Sequence, residues 1–122
     1  MADGVEQRTF PRIPAGTPVA MTPLPLDRRG RSDLESTAHN LSLGGMFLAT
    51  EYSFRAGTVL QLEFRLPDEG NGGAPVHARA VVRWRRWWRS PRGMGVQFVE
   101  LEGRGRDRLK EWLDHARAPG PR

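Results

Sequence analysis

Arg8 and Arg12 stand four residues apart near the N-terminus, with Thr9, Phe10 and Pro11 between them. A guanidinium is a planar fork that pairs bidentately with phosphate oxygens or with the O6/N7 edge of guanine. Downstream runs Asn40-Leu-Ser-Leu-Gly-Gly45. Asn40 and Ser42 alternate, so on one strand both side chains leave the same face and can meet a single ligand. Gly44 and Gly45 permit positive backbone angles and remove side-chain bulk beside that surface. Each group also has a plainer reading: a solvated basic tail for the arginines, a polar turn between strands for the second. Spacing does not decide between them, because Arg79/Arg83, Arg85/Arg89 and Arg104/Arg108 repeat it.

Other residue groups carry chemistry less clearly. Arg83-Trp-Arg-Arg-Trp-Trp-Arg89 interleaves cations and indoles, as single-strand nucleic-acid binders do. The alternative is a strand end, with Trp84 continuing the inward face. Trp87 and Trp88 are adjacent and cannot both point inward on a regular strand, so one is a candidate contact for a partner protein. Asp27-Arg-Arg-Gly-Arg31 is a charged hairpin loop, a phosphate contact only if it lies near the arginine arm. His39, His77 and His115 are scattered without metal-ligand spacing, and no metal site is assigned. Gly93-Met-Gly95 leads into an alternating strand instead of a helix N-terminus, so a phosphate cradle does not follow. No nucleophile–base pair or carboxylate dyad stands out, and an enzyme is not expected.

The chain has 122 residues, 38% of them hydrophobic and 27% charged, which suits one folded domain. With no cysteine, disulfides and thiolate metal sites are excluded. No run resembles a signal peptide or a membrane span, and a cytoplasmic location is expected. Nineteen Lys and Arg against 14 Asp and Glu give a net charge of +5, and Lys110 is the one lysine. Arginine enrichment favours phosphates and guanine edges, but a GC-rich genome would produce the same bias.

The elements that must position these groups follow from periodicity. Residues 1–16 read as an arm, kept extended by Pro11 and Pro14. Strands are predicted at Thr17 to Thr22, at residues 32–39 and at Met46 to Thr50. Val59 to Leu66 sets Leu60, Leu62, Phe64 and Leu66 against Gln61, Glu63 and Arg65, and Val76 to Trp84 alternates likewise. Pro67 to Gly73 is a loop, and Met94, Val96 and Phe98 mark a sixth strand. Leu109, Trp112, Leu113 and Ala116 fall at helical spacing, predicting an amphipathic helix from Arg104 to Arg117 that is ended by Pro119 and Gly120. The fold class is therefore all-β dominated: a six-stranded antiparallel barrel with one terminal α-helix, over residues 17–117, and a disordered tail at 118–122.

The arginine pair before a first strand, the Asn40–Gly45 turn and the Gly93–Val99 strand, in that order before a helix, resemble the PilZ domain family, the bacterial receptor module for cyclic di-GMP. Arg8 and Arg12 match its RxxxR motif; Asn40, Ser42 and Gly45 match its (D/N)xSxxG motif. The resemblance covers Gln7 to Arg117. It departs at Asn40, where many members carry aspartate, and at Gln7, where some carry a further arginine.

The resemblance implies a receptor or adaptor in second-messenger signalling, with cyclic di-GMP as regulatory ligand and no catalytic cofactor. Arg8, Arg12, Asn40, Ser42, Gly44 and Gly45 would form its binding site. Ordering of the arm on binding would pass the signal to an unidentified protein partner, with Trp87 and Trp88 as a candidate surface. Two alternatives stand beside it. One is a PilZ-fold scaffold that binds no nucleotide and acts through protein contacts in motility or pilus assembly. The other is a small basic barrel that binds single-stranded nucleic acid.

Overall fold

The computed structural model describes residues 13–66 and 74–117. The arm up to Arg12, the Pro67–Gly73 loop and the tail at 118–122 lie outside the described residues. Among the described residues, six strands precede one helix: β1 (Ile13–Leu24), β2 (Leu34–Leu41), β3 (Gly45–Ala49), β4 (Val59–Phe64), β5 (Val76–Arg86), β6 (Gly93–Leu101) and α1 (Gly105–Arg117). They close into an antiparallel barrel in the order β1-β2-β3-β6-β5-β4. No helix among the described residues is long and apolar enough to cross a membrane.

Period-two patterning fills the interior. Leu60, Leu62, Phe64 and Leu66 are all buried, as are Val76, Ala78, Ala80 and Val82. Met21, Leu41, Met46, Leu48 and Met94 complete the barrel core, and Leu109 and Leu113 of α1 join it. Each such aliphatic side chain contributes about 1.5–3 kcal/mol by leaving water. Polar atoms that enter this interior are paired: Thr17 Oγ1 donates to the Arg65 carbonyl at 2.9 Å, and Ser36 Oγ to the Val19 carbonyl at 2.9 Å. The helix stripe is narrower than its spacing suggests, because Trp112 is half-buried and Ala116 exposed.

Two departures from the pattern matter for function. β1 starts at Ile13 instead of Thr17; the ladder absorbs Pro14 and Gly16 through a register shift between Pro14 and Thr17. In β5 a register shift between Val82 and Trp84 breaks the alternation. Trp84 therefore faces Gly95 on the outside of the barrel, and the expectation that it continues the inward face is corrected.

Candidate ligand-binding site

β2 ends at Leu41, and Ser42 to Gly44 turn the chain into β3. Ser42 is buried at 3% exposure and its hydroxyl is committed to the turn. Ser42 Oγ accepts the Gly44 and Gly45 amides at 3.1 and 3.2 Å and donates to the Gly45 carbonyl at 3.2 Å. The Ser42 amide also reaches the Gly45 carbonyl at 2.9 Å, and Phe98 N–H staples the Gly44 carbonyl at 2.8 Å. The expected common strand face for Asn40 and Ser42 does not form. Ser42 shapes the turn from beneath, while Asn40 lies on the barrel wall.

The glycines differ from expectation too. Positive-φ glycines occur at positions 16, 30, 57 and 103 and not at 44 or 45. Gly45 serves close approach instead: a Cβ there would overlap the Val96 carbonyl of β6.

A bulge orients the polar residue before the turn. The β2–β3 register shifts between Ala38 and Asn40, so His39 and Asn40 fall consecutively between the core residues Ala38 and Leu41. Both are thereby turned outward. Asn40 is half-buried, and its Oδ1 accepts the Phe47 amide at 3.3 Å. This bond fixes the carboxamide across the β2–β3 ladder.

Beside Asn40 the outer wall is aromatic. Phe47 pairs with Asn40 on one side and Gly95 on the other, and Gly95 pairs with Trp84. The Phe47 and Trp84 rings stack across the glycine at 5.4 Å and 24°. The Arg86 guanidinium covers the Phe47 ring at 4.8 Å, and His39 meets its edge at 6.1 Å. Phe47 is only 3% exposed although it points out of the barrel. Periodicity alone missed this wall. Glycines spaced by two inside a strand were its signal, since they mark close approach from neighbouring strands.

The remaining expected residues fall in three places. Arg8 and Arg12 lie outside the described residues; the first described residue, Ile13, pairs with Leu41, and Pro14 pairs with Asn40. The chain thus enters the barrel at the edge that carries the Ser42–Gly45 turn. Asp27–Arg31 sits at the opposite end of β1, past the Met21–Leu34 pairing, and is a self-contained turn. Asp27 accepts the Arg29 and Arg31 amides at 3.1 and 3.0 Å and the Arg31 guanidinium at 2.6 Å. Arg31 in turn lies over Tyr52 at 5.5 Å, so this loop is anchored away from Asn40. Trp87 is half-buried and Trp88 is 76% exposed at the β5–β6 turn. Among the described residues, no group of three His, Cys, Asp or Glu side chains could hold a metal ion.

The architecture is thus a closed six-stranded barrel with a turn-locking serine and a C-terminal helix packed against it. A family model described as PilZ domain matches residues 6–115, and the chain belongs to that family. Its structure is similar to the one titled "Structure of Bacillus subtilis Inhibitor of motility (MotI/DgrA)", with a TM-score of 0.69 and 24% identity. That match covers 88% of this chain and 50% of the other, so this chain spans half the length of its neighbour and shares its fold. A comparison with curated protein sequences gave no match.

Proposed function

We propose that this chain is a cyclic di-GMP receptor that acts on a protein partner. The observation that carries this reading is the pairing of Ile13 with Leu41 and Pro14 with Asn40. Ile13, the residue that follows Arg12 in sequence, thus lies beside the strand that leads into the Asn40–Gly45 turn. Membership of the PilZ family supports it.

Cyclic di-GMP offers two phosphates and two guanine edges. Arg8 and Arg12 supply guanidinium forks for phosphate oxygens or for guanine O6 and N7. Asn40 supplies a carboxamide, whose chemistry suits a guanine edge. Ser42 acts indirectly, holding the turn in the shape the ligand meets. The arm closes over the outer wall on binding, and this ordering creates the surface a partner reads. The protein works in the cytoplasm and uses no catalytic step.

Calorimetric titration with cyclic di-GMP, with GTP and a short oligonucleotide as controls, tests the proposal. Saturable heat with cyclic di-GMP alone is expected, and its stoichiometry separates one bound nucleotide from a pair. No heat and no thermal stabilisation with cyclic di-GMP would leave a scaffold that binds no nucleotide. Equal, strongly salt-dependent binding of the oligonucleotide would instead favour a nucleic-acid binder.

A further inference from the structure

A groove of about 1080 Å³ crosses the outer face of the barrel, apart from the Asn40–Gly45 turn. Ala20 of β1 and Thr37 of β2 are among the small side chains that line it. The barrel side carries Asp33, Glu35 and Glu51; the β5–β6 turn on the other side carries Trp88, Arg89 and Arg92. All six side chains are exposed. Among the described residues, none of these five charged groups has an ion-pair or side-chain hydrogen-bond partner. Glu63 and Arg65, which also line the groove, are already engaged, Glu63 with His77 at 3.4 Å. Three carboxylates and two guanidiniums thus line one concavity without neutralising each other.

We infer that this groove is a self-association surface, occupied by the β5–β6 turn of a second copy of the chain. Charge complementarity selects that occupant. A two-fold axis through the groove sets each copy's acidic side against the other's arginine side, so both open guanidiniums of each copy gain a carboxylate counterpart. A foreign segment would need both signs at matching spacing. Trp88, 76% exposed in the single chain, becomes the central anchor, an aromatic beside arginine as interface hot spots require. The interface draws on none of the residues assigned to the nucleotide.

Sedimentation velocity of the full chain, from about 1 to about 100 µM at low salt, tests this directly. A concentration-dependent monomer–dimer shift that weakens with added salt is expected. Trp88→Ser is expected to weaken association by at least about tenfold. Chains carrying Glu35→Arg with Glu51→Arg, or Arg89→Glu with Arg92→Glu, should each stay monomeric. An equimolar mixture of the two should restore the dimer, which also shows that both are folded. A wild-type chain monomeric throughout the range would overturn the inference. So would dimerisation of either charge variant alone at wild-type strength, or a mixture that fails to associate although both variants keep the wild-type far-UV spectrum.

Discussion

Phe47 and Trp84 lie on strands that are not neighbours, yet their rings stack at 5.4 Å because Gly95 between them has no side chain. A Cβ at position 95 would overlap the Trp84 indole, and one at Gly93 would press on the Phe47 ring. The two glycines of β6 thus let the outer wall beside Asn40 be aromatic. The same wall runs from Asn40, through its bond to the Phe47 amide, to Arg86, which donates to the Pro91 carbonyl at 3.0 Å.

Gly95→Ala should therefore displace the indole and lower stability by about 1–3 kcal/mol, the usual cost of overpacking. Urea denaturation measures the loss, and near-UV circular dichroism should show a weakened tryptophan signal. A variant with unchanged stability and spectrum would mean that the stack does not constrain the wall.

Ser42→Ala should behave differently from changes in the arm. Removing the hydroxyl leaves the Gly44 and Gly45 amides short of an acceptor, at a cost of about 1–3 kcal/mol. Thermal unfolding should report this cost, and nucleotide affinity should fall with it. Arg8→Ala and Arg12→Ala should reduce affinity at unchanged stability. Loss of affinity in Ser42→Ala with full thermal stability would instead assign the hydroxyl a direct ligand contact.

Arg86→Ala removes both the cation over Phe47 and the bond to Pro91. The cation–π contact contributes about 0.5–2 kcal/mol. Faster amide exchange is expected at Trp87 to Arg92, with the β4 amides unaffected. Uniform acceleration across the barrel would point to global destabilisation.

The Asp27 carboxyl sits below the usual carboxylate range. The Arg31 amide is the chief cause and outweighs the opposing effect of burial; the Arg31 guanidinium and the Arg29 amide add to it. A depressed folded-state value means that this stabilisation is full above about pH 4, the ordinary aspartate value. It is lost as pH falls through the lower folded value. Asp27→Asn should therefore lower stability near neutrality and flatten the decline of stability below about pH 4. An unchanged acid limb in denaturation profiles would remove Asp27 as its source.

Much of the fold was legible because barrel strands alternate and the helix does not. Leu60, Leu62 and Phe64, or Leu109 and Leu113, declare their faces by period alone. The site was less legible for a physical reason. Bulges change the side a residue faces without changing its type, and both the outward turn of Asn40 and the exit of Trp84 follow from register shifts. Ser42 does not share a strand face with Asn40 because its hydroxyl is held by backbone groups two and three residues away. The pairing of Phe47 with Trp84 needs three strands in register, which no local pattern encodes.

The central claim is a cyclic di-GMP site formed by the arginine arm and the Asn40 wall. Titration of Arg8→Ala, Arg12→Ala and Arg79→Ala beside the wild-type chain tests it most directly, because Arg79 has the same spacing to Arg83 but sits on β5 near Glu100, at 3.5 Å. Each of the first two should lose about 1.5–3 kcal/mol, roughly tenfold or more in affinity, while Arg79→Ala binds as wild type. Equal losses in all three variants would show generic attraction to a basic surface and contradict the site.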